Sequence, residues 1–409
     1  MKYTLKDICT KIGSGATPTG GKEAYKGGDY ALVRSQNVLD YTFTTSGLAY
    51  INETQAKKLD GVKVEVGDVL LNITGDSVAR ACIIPDEILP ARVNQHVAII
   101  RANNQYALNE YLLYFLQYNK QYLLSISQGG GTRSAITKKM IEDIEIDLPS
   151  LEDQLSIVNI INSISKKIEV NQQINDNLEQ QAQALYKSWF VDFEPFCGGE
   201  FIESSLGSIP VGWKVGQLSD ICEIVGGGTP SKSHPEYYCK RGIAWITPKD
   251  LSVSKSKFPS RGSEDITSDG YKNSSAKLMP RGTVLFSSRA PIGYISIATN
   301  RICTNQGFKS AVPGTAGTGY LYYFLQANTD KIESKASGST FKEASGSLMK
   351  SLEVIIPADG IFNQFEAELA PILNKQENIA SEIQTLTTLR DTLLPKLMSG
   401  ELKINEIDC

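Results

Sequence analysis

The sequence predicts an α+β protein made of two similar modules, joined by two long helices that pair as an antiparallel coiled coil with pseudo-twofold symmetry. Three observations predict it. The chain repeats itself, in order, at a separation of about half its 409 residues. Asp7-Ile8-Cys9 returns as Asp220-Ile221-Cys222, Thr17-Pro18 as Thr229-Pro230, and Asn94-Gln95 as Asn305-Gln306. Likewise Gly67-Asp68-Val69-Leu70-Leu71 matches Gly282-Thr283-Val284-Leu285-Phe286, and Leu112 to Gln117 matches Leu321 to Gln326. A repeat this long is not a solenoid unit and reads as two copies of one domain with its appendage. The second observation is a pair of heptad ladders displaced by 208 residues; the third is that each copy mixes short β-branched runs with helical ones.

The first module, residues 1–150, opens on a glycine-rich turn, Gly13 to Pro18, and continues in β-branched runs at Val62 to Val66, Val69 to Thr74 and Val97 to Ile100. A helix rich in tyrosine and leucine is expected over Asn109 to Leu124, then a glycine loop, Gln128 to Arg133, and a strand closed by Pro149. The second module, residues 196–357, follows the same plan. Its turn is Gly226 to Pro230, its strands are Thr283 to Phe286 and Tyr294 to Ala298, and its helix is Gly319 to Asn328. A loop from Ser337 to Lys342 and a strand from Leu352 to Pro357 complete it.

The segments after each module, residues 151–195 and 358–402, carry the ladders. Ile157, Ile161, Ile164, Ile168, Asn171, Asn175, Leu178, Ala182, Leu185 and Trp189 advance by alternating steps of four and three. Phe365, Leu369, Ile372, Gln376, Ile379, Ile383, Leu386, Arg390, Leu393 and Leu397 repeat that register. Either seam is ~50 Å long, too long to bury its stripe against one small domain, so each helix needs the other. A compact module of about 160 residues, of radius about 15 Å, sits at one end of an antiparallel pair without spanning it. Polar Asn171, Asn175, Gln376 and Arg390 interrupt the seams and suggest register devices, or simply a wet seam. Pro371 predicts a kink or a start delayed to about Leu373.

Composition narrows the chemistry. No apolar run reaches the length of a membrane span and no basic-then-apolar leader opens the chain, so a cytoplasmic protein is expected. Seven cysteines without CxxC spacing read as reduced thiols, and two histidines, His96 and His234, argue against zinc or triad chemistry. The glycine clusters lack the context of a dinucleotide loop, no Walker loop or Pro-Pro pair occurs, and Pro85-Asp86 has no nearby acid-x-Lys. A self-contained DNA enzyme therefore lacks a catalytic constellation.

The net charge of -4 conceals a segregation. Residues 151–203 hold nine acids and three bases, and residues 358–409 nine and four, which leaves 34 bases against 27 acids elsewhere. Between Asp269 and Asp330 stand six bases and no carboxylate; between Glu110 and Glu142 stand Lys120, Arg133, Lys138 and Lys139. Such stretches suit a polyanion, although charge alone leaves open a solvated basic face.

Taken together, the duplicated module, the two helices, Leu185 to Phe193 closing the first, Leu393 to Leu402 closing the second, and the linker Ser208-Ile209-Pro210-Val211-Gly212-Trp213 resemble the specificity subunit of type I restriction-modification enzymes over the whole chain. The resemblance implies a non-catalytic subunit with two target recognition domains, each reading one half of a bipartite site in double-stranded DNA. It implies helices that act as a ruler and dock two modification subunits for adenine methylation, with restriction subunits joining for cleavage. No cofactor is expected in this chain; S-adenosylmethionine, ATP and Mg belong to the partners. A ruler of ~50 Å would separate half-sites by between one and two helical turns of ~34 Å.

Base reading then falls to loop side chains capable of paired hydrogen bonds, and phosphate gripping to Lys and Arg. The candidates in the first module are Arg34, Gln36, Asn37, Asn72, Arg80, Arg92, Asn94, Arg133, Lys138 and Lys139. In the second they are Lys249, Ser287, Arg289, Lys309, Thr340 and Lys342. Because Asn-Gln recurs in both copies it points to module structure, whereas residues reading different half-sites should differ between copies. The competing reading is a coiled-coil protein-interaction scaffold without DNA specificity.

Overall fold

The computed structural model describes residues 2–402 except 19–24, 26, 129–133, 290 and 339–341. The chain divides into two units, Met1–Ile168 with Thr385–Cys409, and Glu169–Gln384. Each unit thus holds one module and one end of each long helix.

In the first unit an antiparallel sheet of four strands runs in the order Cys9–Ser14, Val97–Ala102, Val69–Asn72, Ala81–Ile83. A second sheet orders Ala49–Ile51, Tyr30–Val33, Ala91–Val93, the last two parallel. Val69–Asn72 is buried on both faces, which is why it reads as a continuous apolar run instead of alternating. One side of the sheet meets helix Asn109–Tyr118 and the long helices through Ile157, Val158, Ile161, Leu394 and Leu397. Lys2–Thr4 pairs antiparallel with Glu145–Asp147, closing the module where its chain enters the first long helix.

The second unit repeats the sheet order as Cys222–Gly226, Lys309–Pro313, Val284–Ser288, Ile292–Ile297. Its parallel pair is Trp245–Ile246 with Cys303–Thr304. Here the core is aromatic: Phe190 lies 4.7 Å from Tyr320 and 4.9 Å from Phe365 between ring centroids, with Tyr186, Trp189 and Tyr323 in the same cluster. Trp213 of the expected linker is buried against Phe190, Phe193 and Phe196.

The first long helix spans Leu151–Phe190, opened by Ser150, whose hydroxyl accepts the Asp153 N–H at 3.1 Å while donating to its carboxylate at 2.7 Å. The second spans Ile361–Ser399 between Gly360 and Gly400, both at positive φ, where glycine carries no Cβ penalty. In the first unit the start of one helix packs with the end of the other, and in the second unit the reverse holds, so the pairing is antiparallel. Ile157, Ile161, Ile164, Ile168, Trp189, Phe365, Leu369, Ile379 and Leu397 are buried; Leu178, Leu185, Ile372, Ile383, Leu386 and Leu393 are half-buried.

Three sequence expectations are corrected. The second helix does not wait for Leu373: it begins at Ile361. Pro371 is solvent-exposed, while Phe362, Phe365 and Leu369 before it are buried, and that packing outweighs the proline's cost of ~3 kcal/mol. The expected strand Val62 to Val66 is absent, because a 3-10 turn at Asp60–Val62 and the turn at Gly67 leave only Lys63 to bridge Arg92. The helix expected over Asn109 to Leu124 breaks at Asn119 into Asn109–Tyr118 and Lys120–Ser127.

Candidate nucleic-acid interface

The repeated motifs converge at one end of each four-stranded sheet. After Cys9–Ser14 the glycine turn runs so close to its neighbour that a Cβ on Gly15 would lie 1.7 Å from the Val93 carbonyl oxygen. In the second module a Cβ on Gly227 would lie 1.9 Å from the Asn305 carbonyl oxygen. Only glycine fits at either position. That approach lets the Thr17 hydroxyl donate to Gln95 Oε1, and the Thr229 hydroxyl donate to Gln306 Oε1.

The Asn-Gln pair has a divided role. Asn94 Oδ1 accepts the His96 N–H at 3.0 Å and Asn305 Oδ1 accepts the Gly307 N–H at 2.9 Å, so the asparagine shapes a turn. The following glutamine, Gln95 or Gln306, stands exposed at its tip. The turn is anchored to the parallel pair: the Asn94 N–H donates to Val33 at 3.0 Å and the Asn305 N–H to Ile246 at 3.1 Å.

The segment after that strand is also built alike. The Arg34 N–H donates to Asn37 Oδ1 at 3.1 Å, and the Thr247 N–H donates to Asp250 Oδ2 at 2.8 Å. Gln36 and Lys249 therefore occupy equivalent, exposed positions beside the Asn-Gln turn. Finally Thr74 bridges Ala135 and Arg289 bridges Glu343, which brings the far side of each glycine/serine loop to the same place. Thr74 and His96 are also joined, Oγ1 to Nδ1, at 2.6 Å.

The candidates separate by what their polar atoms already do. Asn37 is buried, with Nδ2 donating to Thr44 at 3.0 Å, and buried Asn72 donates to Ser35 at 2.8 Å and Val38 at 3.2 Å. Ser287, the counterpart of Asn72 in the repeat, donates to Pro291 and accepts the Tyr294 N–H. Arg92 is buried on Ala56, Ala91 and Asp60. These four, with Asn94, hold loops in shape. Arg34 is half-buried and donates to Gly47 at 2.5 Å. Arg289 and Lys309 flank Glu343, at 3.6 and 3.3 Å, and Lys138 and Lys139 pair with Glu142 and Asp143 one turn along their own helix. Gln36, Lys249 and Lys342 are exposed and Arg80 is half-exposed. Arg133 and Thr340 lie outside the described residues.

Sequence reasoning missed the exposed Thr–Gln contact, although the signal was present: both of its members recur. Charge counting left open whether the acid-free stretches serve a polyanion or a solvated face; one of their bases, Arg281, pairs with Glu377 within the second unit. Among the described residues no cluster of three or more His, Cys, Asp or Glu could hold a metal, and no helix is long and apolar enough to cross a membrane. Burial pushes the thiols of Cys9, Cys82, Cys222 and Cys303 up to about 12.

Two modules of one design, each presenting a loop-built face and each seated on the end of a helix pair, define a two-site recognition protein. The chain belongs to the type I restriction modification DNA specificity domain family, whose model matches residues 1–180 and 210–397. It is similar to the type I restriction enzyme HindI specificity subunit of Haemophilus influenzae, 26% identical over 437 aligned positions that cover 91% of this chain and 94% of that protein. The MjaIX specificity subunit of Methanocaldococcus jannaschii is 42% identical over 162 residues, covering 39% of this chain and 37% of that protein. In fold it is similar to the crystal structure of the type I S subunit from M. genitalium, with a TM-score of 0.61, 13% identity, and coverage of 97% and 95% of the two chains. This is a specificity subunit with two recognition domains, the non-catalytic DNA-recognition component of a type I system.

Proposed function

We propose that each module reads one half of a bipartite DNA sequence through the loop face at the end of its four-stranded sheet. The observation that carries this reading is the convergence of the glycine turn, the Asn-Gln turn, the segment after the parallel strand and the glycine/serine loop at one place in both units. Shared residues there, Thr17 with Gln95 and Thr229 with Gln306, build the face. Residues that differ between copies at equivalent positions read the two halves: Gln36 against Lys249 and Thr74 against Arg289, with His96 adding a side chain in the first copy where the second has Gly307. Amides suit adenine and cations suit guanine or phosphate. Arg80, Lys138, Lys139, Lys309 and Lys342 contribute to gripping phosphate, each phosphate contact adding to the salt dependence.

The helices fix the distance between the half-sites and dock two modification subunits, which bring S-adenosylmethionine to adenine. Restriction subunits supply ATP- and Mg-dependent cleavage, and the assembly acts in the cytoplasm. The test is to map adenine methylation genome-wide in a strain carrying this chain with a compatible modification subunit, against the same strain lacking the chain. A new two-part motif with a fixed spacer is expected. With assembly of the two subunits verified, the absence of any new motif would overturn the reading in favour of a scaffold.

A further inference from the structure

Within the second unit one polar interruption of the helix seam, Gln376, has a partner that is not on a helix. Gln376 is 2% exposed, and its Oε1 accepts from Lys257 Nζ at 2.9 Å. Lys257 belongs to the module, on the loop after helix Pro248–Ser254. The same ammonium pairs with Glu179 of the first long helix, donates to the Tyr323 hydroxyl at 2.8 Å and lies 4.4 Å from the Tyr322 ring centroid. Gln376 Nε2 in turn donates to Glu179 Oε2 at 3.1 Å, and the Tyr323 hydroxyl donates to the same oxygen at 3.0 Å. The loop is itself fastened to the sheet, since the Ile297 N–H donates to the Lys257 carbonyl at 2.7 Å. One lysine thus ties the module's edge strand to both helices.

This attachment borders the aromatic core at Tyr322 and Tyr323 and extends beyond Phe365 along the helices. Phe365 and Gln376 lie 11 residues apart on one helix, or about 16 Å along its axis. The core alone would act as a pivot, while a second attachment at that distance fixes the tilt of the module on the helices. Across a module about 30 Å wide, a tilt of roughly 7° moves the far edge by about one 3.4 Å base-pair step. The first unit makes its counterpart without a buried carboxylate: Arg390, the other polar interruption of that helix, lies 3.9 Å from the Tyr41 ring centroid of its own module.

We infer that Lys257, Glu179 and Gln376 are positioning residues that hold the second module at one tilt on the helix pair and so restrict the enzyme to one spacer length. Gln376 interrupts the seam to receive a module loop while also bonding the facing helix at Glu179 and at the Asn175 carbonyl. This inference rests on the function proposed above.

The test is adenine-methylation mapping with the parent chain, the double variant Lys257→Met/Glu179→Gln, and Lys257→Arg, each with the same modification subunit. The double variant removes both charges together, so no lone charge is left buried, and its folding is followed by urea unfolding. The expected result is that the double variant keeps both half-site sequences but also methylates sites whose spacer is one base pair shorter or longer, at a tenth or more of the parent-spacer level. Lys257→Arg should restore the single spacer. A folded double variant that methylates only the parent spacer, or none at all, would overturn the inference. A parent chain that yields no bipartite motif would instead refute the proposed function, so the two failures are distinct.

Discussion

At the residue scale, side chains near one another in each recognition face do different work, and substitution should separate them. Asn72 is buried with its amide on two loop carbonyls, so Asn72→Ala is expected to cost about 1–3 kcal/mol by urea unfolding. Gln36 also donates to a loop carbonyl, that of Gly47 at 3.0 Å, but it is exposed and water can replace that bond; Gln36→Ala should cost less than about 1 kcal/mol yet relax methylation specificity in one half-site only. If Gln36→Ala altered both halves or neither, the assignment of that residue to one module's reading would fail. Titration offers another check at this scale. Burial alone would raise the Glu179 carboxyl, but the charge and hydrogen bond of Lys257, with the bond from Gln376, outweigh it and hold the carboxyl below its ordinary 4.5. A folded-state carboxyl held low stabilises fully above that ordinary value and loses its contribution as pH falls below it. Denaturation midpoints measured downward from pH 5 should therefore fall less steeply in Glu179→Gln than in the parent.

At the element scale, the long helices were the most legible part of the sequence and the attachment of Lys257 to Glu179 and Gln376 the least. A ten-place ladder repeated at a fixed displacement leaves little ambiguity, and every apolar seam residue it named is buried or half-buried. The ladder could not show what Gln376 and Arg390 were for, because their partners come from loops distant in sequence: Lys257 is 119 residues from Gln376. Local rules misread Pro371 for a related reason. The penalty of a proline is local, while the packing of Phe362, Phe365 and Leu369 that offsets it is tertiary. Since Pro371 is exposed, Pro371→Ala should restore a helical N–H without disturbing the core and raise stability by up to about 3 kcal/mol; an unchanged urea midpoint would show that the helix has already relaxed around the proline. In the modules the repeat located the strands and the glycine turns. It did not reveal which polar residues face inward, since Asn37, Asn72 and Ser287 look in sequence like any loop-end hydrogen-bonding residue.

At the scale of the whole molecule, duplication is the organising fact: one sheet order, one glycine approach and one Asx turn, each made twice, with the exposed neighbours allowed to diverge. If both helices act as the ruler, one heptad added at matched points in each lengthens it by about 10.5 Å, and the methylated spacer should grow by about three base pairs with both half-sites unchanged. The division of labour between modules is tested most directly by replacing residues 196–357 with the corresponding segment of another specificity subunit whose motif has been mapped, then mapping adenine methylation again. The account predicts that one half of the motif becomes that of the donor while the other half remains that of the parent. A motif that changed in both halves, or in neither, would contradict it.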